Sequence, residues 1–303
     1  MRLDDRPEPR LAPAQAAHGA GQRFIIQRDS GLVFHLHDIC AATMTTRQPV
    51  FRFAPSPNGQ LHLGHAYSAL LNQKMAEEAN GRLLLRIEDT DQTRCKPEFV
   101  QGVYEDLRWL GLTWEEPVRI QSEHFDDYEN ALEKLWQAGA IFPCFCSRRQ
   151  VLAEAGTDVD PDGGPLYGGS CRCLSRDEAT KRINAGTAHG WRLITEESDA
   201  APWGDVMIAK RHVGSCYHIA VVADDALQGV THVVRGKDME AATPIHLLLQ
   251  HQLGLPHPEY HHHDLILDEH GRKLSKSIRS KSIASLRAQG ASASDIRKQL
   301  GFS

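Results

Sequence analysis

Two histidines three residues apart, His62 and His65, enclose Leu63 and Gly64 where the chain reads as strand, loop and helix. A helix start offers unpaired backbone N–H groups and a positive dipole end, a natural seat for phosphate. Two imidazoles at that spacing can donate hydrogen bonds to one polyphosphate, and Gly64 lets a nucleotide approach the backbone. Near the other end, Lys273, Ser275, Lys276 and Ser277 follow the turn 268–271. Lysines and hydroxyls there suit the charge that builds as pyrophosphate leaves, because preorganised donors stabilise developing charge. Either motif alone is ambiguous in a chain with 17 histidines, and most Lys/Ser runs are solvated loops. Their occurrence in this order, one in each half of the chain, points to nucleoside triphosphate chemistry.

Charged residues at strand ends come next. Arg52 stands at the C-terminal end of a short strand, the edge where α/β sheets bind ligands, and a guanidinium there can hold a carboxylate in a forked pair. Glu88 ends the second strand, where it would face an ammonium, with Asp89 and Asp91 competing by composition. Cys144, Cys146, Cys171 and Cys173 share a Gly-rich stretch too small for its own core, which suggests structural zinc held by N and S ligands. His257, His261, His262 and His263 lack a regular ligand spacing and read as a polar loop.

The elements that must carry these residues alternate. Residues 50–53 and 82–87 read as strands, and helices follow over 65–79, from Pro97 and over 126–138. After a break in the rhythm, 219–223 and 231–235 read as strands, 243–253 as a helix, 265–267 as a strand, and 283–289 and 294–300 as short helices. Strands alternating with helices of these lengths argue for an α/β fold with a largely parallel sheet. The organisation expected is a leader at 1–47 that is disordered or precedes a true start at Met44, then a first catalytic half at 48–142. A Cys-rich insertion at 143–190, a second half at 191–281 and short helices at 282–303 complete it.

Composition narrows the classes. Hydrophobic residues make up 41% and charged residues 24%, an ordinary globular balance. No apolar run approaches the ~18 residues of a membrane span. A net charge of −5 excludes a strongly basic nucleic-acid coat but not a local basic site. Seven cysteines, an odd number in a long chain, fit a reducing cytoplasm better than a disulfide-stapled secreted domain.

HLGH (62–65) and KLSKS (273–277) resemble the paired signatures of the class I aminoacyl-tRNA synthetases. The strings FRFAPSPNG (51–59), RIEDTD (86–91) and VRGKD (234–238) resemble the glutamyl-tRNA synthetase branch. The resemblance runs from about residue 50 to 277. It implies a Rossmann-type parallel sheet with an inserted zinc-binding, acceptor-like subdomain, and ATP with Mg2+ as co-substrate. It also implies His62, His65 and Lys276 at the ATP, and a glutamate pocket of Arg52, Phe53, Ala54, Pro55, Ser56, Glu88, Tyr217 and Arg235. Two arginines suit a substrate with two carboxylates. His218 departs from the pattern, which has an amide residue after the tyrosine, and Lys237 stands where a small or acidic residue is expected. For the metal, the resemblance implies Cys144, Cys146, Tyr167 and Cys171, with Cys173 the alternative to Tyr167.

Only 26 residues follow Ser277 (303 − 277), too few for the large helical anticodon-binding part of a full glutamyl-tRNA synthetase. That layout, with GVYEDLRWLGL (102–112) and the Cys-Phe-Cys insertion, resembles the truncated branch that transfers glutamate to queuosine at the wobble position of tRNA(Asp). The expected protein is a cytoplasmic monomer with no membrane partner. The rivals are a synthetase fragment charging tRNA(Glu) with a partner chain, a small-molecule nucleotidyltransferase, and a non-catalytic tRNA-binding paralogue.

Overall fold

Val50–Phe53 (β1) is buried along its whole length, as a strand must be in the middle of a parallel sheet covered on both faces. A computed structural model describes residues 48–210, 217–266 and 281–302. From β1 the chain runs through α1 (Leu63–Glu78), β2 (Arg82–Ile87), α2 (Pro97–Trp109), β3 (Glu115–Ile120) and α3 (Phe125–Gln137). It then enters β4 (Ile141–Cys144), α4 (Arg148–Ala155), α5 (Arg176–Asn184), β5 (Gly190–Leu193) and β6 (Val206–Ala209). It continues through α6 (Tyr217–Leu227), β7 (His232–Gly236), α7 (Thr243–Leu253) and β8 (Glu259–His263), then α8 (Ile283–Ala288) and α9 (Ala293–Gln299).

Five strands form one sheet in the order β3-β2-β1-β7-β8, every pairing parallel. The chain leaves β1 for β2 on one side, and β7 docks on the other, so strand order reverses at the β1–β7 boundary. Pro97 sits in the first turn of α2, where its missing N–H costs nothing. After α1, Asn80 takes the left-handed conformation at φ 49°, and Gly81 N–H bonds Ala76 O at 2.7 Å. Gly81 is needed for closeness: a Cβ there would lie 2.7 Å from Pro49 O.

A second, antiparallel sheet, β4-β5-β6, lies between the two halves and spans residues 141–209. Its Ile141, Leu193 and Ile208 share a core with Leu135 of α3, Val221 of α6 and Leu249 of α7. A separate core joins α1, α2, α8 and α9 to the parallel sheet, through Leu70, Leu107, Ile283 and Ile296 against Leu85 and Ile87. Among the described residues no helix is long and apolar enough to cross a membrane.

Two sequence readings are corrected. Residues 219–223, read as a strand, lie inside helix α6. A short apolar run fits either period, and this one is buried on every side, so no polar face marks its helical repeat. The strand expected at 265–267 is instead β8, formed by the histidine stretch read as a loop. Leu265 and Ile266 follow it without strand pairing, and Leu267 lies outside the described residues. β8 is an edge strand with β7 as its neighbour, so polar side chains are tolerated there. Strand β3 had no counterpart in the sequence reading; its exposed start and Pro117 hide the pattern.

Candidate active site

Ligands of α/β sheets bind outside the carboxyl ends of the strands, where strand order reverses. A cleft of about 700 Å³ opens there, beyond β1 and β7. Arg52 and Phe53 of β1, with Ala54, Pro55 and Ser56 of the following loop, form one wall. His62 and His65 enter from the start of α1, Glu88 from the end of β2, Tyr217 from the first turn of α6 and Arg235 from the end of β7. Every described residue that the sequence assigned to ATP or glutamate thus lines one cleft. Lys276 and the rest of KLSKS lie outside the described residues. The chain leaves the cleft wall at Ile266, and on return Ser282 bridges to His62 and Ile283 N–H bonds Leu61 O at 2.8 Å.

The HLGH geometry fixes proton positions. His62 is the N-cap of α1, and its Nδ1 accepts the Gly64 N–H at 3.1 Å. His65 Nδ1 accepts the His62 N–H at 3.2 Å, completing a reciprocal capping box. Because each Nδ1 accepts, each neutral ring carries its proton on Nε2 and is a donor there. The ring centroids lie 3.8 Å apart, with the planes tilted by 34°. Gly64 lines the cleft and also makes room for this cap, since a Cβ there would lie 3.0 Å from the His62 ring.

Beneath the cleft lies a charge network absent from the sequence reading. Arg52 is 3% exposed and donates from Nε to Asp225 Oδ1 at 3.2 Å. Its Nη groups have no acceptor among the described residues, and Arg52 lines the cleft. Arg86, fully buried, donates to the same Asp225 oxygen at 2.7 Å and to Glu88 Oε1 at 3.1 Å. Asp224 accepts from Arg119 Nε, Gln121 and Tyr128 at 2.7, 2.8 and 2.9 Å. Burial alone would raise the Asp225 carboxyl, but the Arg52 and Arg86 guanidiniums overcome it and hold the group below its ordinary value. Glu88 ends the other way: burial raises it more than Arg86 and Arg52 lower it. Burial and the Glu88 charge push the Tyr217 phenol up to about 12, so it is neutral at pH 7, its oxygen able to accept as well as donate.

A smaller cavity of about 300 Å³ adjoins the cleft, sharing Ser56, Glu88 and Tyr217 and reaching Asp91, His218 and Lys210. Asn72, buried in α1, donates to Val234 O at 3.1 Å and ties the HLGH helix to β7.

In the insertion, one sulfur each of Cys144, Cys146 and Cys171 lies within 4.8 Å of the others, the one such group among the described residues. Tetrahedral zinc with bonds of ~2.3 Å needs sulfurs roughly 3.8 Å apart, so the donor set fits. The Tyr167 oxygen is 3.8 Å from Cys146 Sγ and accepts the Cys171 N–H at 2.7 Å. Cys173 is exposed and lies outside the group. The geometry thus favours Tyr167 over Cys173 as the fourth donor.

Sequence reasoning missed Arg86, Asp224, Asp225 and His246. A signal existed for three of them: an arginine inside the apolar strand RLLLRI, and paired acids directly after the buried run of α6. His246, fully buried in α7, carried none.

Residues 49–300 match the family model for the catalytic domain of class I tRNA synthetases (E and Q). The chain is 46% identical to the glutamyl-Q tRNA(Asp) synthetase of Rhodobacter capsulatus, over 84% of this chain and 100% of that protein. It is 37% identical to the protein of that name from Symbiobacterium thermophilum, over 83% of this chain and 85% of the relative. Among solved structures, a glutamate tRNA ligase from Elizabethkingia meningosepticum, in complex with its amino acid, matches with a TM-score of 0.67 at 27% identity. That match covers 80% of this chain and 53% of the ligase, so the chain spans about half of it.

Proposed function

The chain belongs to the family of class I tRNA synthetases (E and Q), and from that membership we propose that it activates L-glutamate with ATP and transfers it to queuosine in tRNA(Asp). The observation that carries the reading is the single cleft in which both HLGH imidazoles meet two arginines, a buried glutamate and a tyrosine. In the first step a glutamate carboxylate oxygen attacks the α-phosphorus of Mg2+-bound ATP, and pyrophosphate leaves with the bonding electrons. The Nε2–H donors of His62 and His65, with Lys276, take up the charge on the phosphates. Arg52 and Arg235 take the two carboxylates, and Glu88 and Tyr217 the ammonium. In the second step a hydroxyl of the queuosine cyclopentene ring attacks the acyl carbon and AMP leaves. Cys144, Cys146, Tyr167 and Cys171 would hold one structural Zn2+, which shapes the insertion and takes no part in bond making. The protein acts as a cytoplasmic monomer.

The test is glutamate-dependent ATP–pyrophosphate exchange by the purified chain with no tRNA present. Robust exchange is expected, and Lys276→Ala should lower it by roughly 10²-fold or more. Exchange that appears only when tRNA(Glu) is added would overturn the reading in favour of a tRNA(Glu)-charging fragment.

A further inference from the structure

Arginine is a permanent donor with five N–H bonds and no acceptor. Arg235 spends four of them inside the protein. Its Nε–H goes to His262 Nε2 at 3.3 Å, and its Nη2 hydrogens go to Thr243 Oγ1 at 2.8 Å and Met239 O at 3.1 Å. One Nη1–H goes to His246 Nδ1 at 3.0 Å. The second Nη1–H has no acceptor among the described residues, and Arg235 lines the cleft. The position of that last donor is therefore set by the ring that grips its sister hydrogen.

That ring is itself held. His246, 1% exposed in α7, places Nε2 at 3.0 Å from Nδ1 of His218 in α6. A guanidinium at one end gives the whole chain of bonds a direction. His246 Nδ1 must carry the lone pair, so its proton sits on Nε2 and is donated to His218 Nδ1. His218 then carries its own proton on Nε2. We propose that His246 and His218 are positioning residues, forming a two-imidazole relay of fixed polarity that aims the remaining Nη1–H of Arg235 at a substrate carboxylate. The relay also fixes His218, in the wall of the smaller cavity, as a hydrogen-bond donor and not a general base.

Both rings have the neutral state this needs. Burial pushes His218 down to about 4, and burial together with the Arg235 charge pushes His246 well below its ordinary value. The relay also accounts for the histidine that follows Tyr217, where an amide was expected. An amide offers both an acceptor and a donor group, and so does a neutral imidazole.

The inference rests on the glutamate-activating reading, and two measurements keep them separable. The first compares His246→Leu with His246→Gln, whose amide can accept from Arg235 and donate to His218. In glutamate-dependent exchange, His246→Leu should raise KM for glutamate by roughly 10- to 100-fold, the worth of a hydrogen bond to a charged group. KM for ATP should stay within about twofold, and His246→Gln should restore most of the loss. Equal KM values for glutamate in the two variants, or parallel rises in both KM values, would overturn the relay. The second reads ring ¹⁵N shifts of the wild-type protein at pH 7 and needs neither activity nor a variant that folds. Nε2–H tautomers at both His246 and His218 are expected, and an Nδ1–H tautomer at either would overturn the relay. Absence of exchange in the wild type would count against the proposed function alone.

Discussion

The parallel sheet and the inserted antiparallel sheet solve opposite problems. Around β1 and β2 the chain has apolar cover to spare, and it buries Arg52, Arg86, Glu88, Asp224 and Asp225 within it. Each of these charges meets opposite charge or a polar donor, because an unpaired ion in that setting would be prohibitive. At the Cys end of the inserted sheet, the buried residues are Phe142, Cys144, Tyr167 and Cys171, so three of the sulfur and phenol donors are themselves the core. One region can house the chemistry because its packing is secure. At its Cys end the other has few buried apolar side chains besides the donors themselves, a setting in which a bound metal would supply what packing does not.

The sharpest way to break this contrast is to remove the metal. Purified protein should carry one zinc, and Cys171→Ser or a strong chelator should release it. Structural zinc is worth on the order of 10 kcal/mol to a small domain, so the segment 145–175 around the cysteines should then become protease-sensitive, while the parallel sheet and the core of Ile141, Leu193 and Ile208 stay resistant. Cys173→Ser should leave metal content unchanged. Metal analysis with limited proteolysis checks this, and equal protease resistance with and without chelator would end the contrast.

The buried network should show the next largest effect. Asp225→Ala strands two buried guanidiniums and should cost roughly 3–5 kcal/mol in urea unfolding. Zinc content should not change. A loss below ~1 kcal/mol would mean that water, not Asp225, satisfies Arg52 and Arg86.

What was legible in the sequence follows the same division. The α/β alternation, Pro97 and the residues at strand ends could be read because period, turn chemistry and strand termini are local properties. His62, Arg52, Glu88 and Arg235 sit at such termini, and the fold gathers them into one cleft. Residues 219–223 could not be read correctly, since a run buried on all sides shows no period. Nor could His246 be found, or the partners of Asp225, because those roles exist only where α6 and α7 pack over strands far away in sequence. Arg52 and Asp225 are 173 residues apart. Tyr167 was reached only through resemblance; its composition gives no hint that its oxygen faces Cys146.

The smallest effect concerns protons rather than bonds. His218 falls to about 4, and His246 and His262 are also lowered, chiefly by burial. As pH drops below the ordinary histidine value of ~6.5, the unfolded chain takes up protons that the folded chain refuses. Stability should therefore be complete above that value and fall as the pH moves toward 4, by up to about 1.4 kcal/mol per pH unit for each proton. Asp106 works against this. Burial raises it to about 6, although Arg287 is only 3.4 Å away, so between its ordinary value and 6 the folded chain holds a proton that the unfolded chain releases. Its contribution is lost as pH rises, the opposite sign. Glu88 and Asp205, also raised by burial, share its sign, so any decline in urea midpoint from pH 7 to pH 5 is the excess of the three imidazoles over these three carboxyls. His246→Gln should make that decline shallower and Asp106→Asn should make it steeper. If the slope is indifferent to His246→Gln, then His246 is not neutral by burial, and the parallel sheet does not hold its imidazoles as it holds its ion pairs.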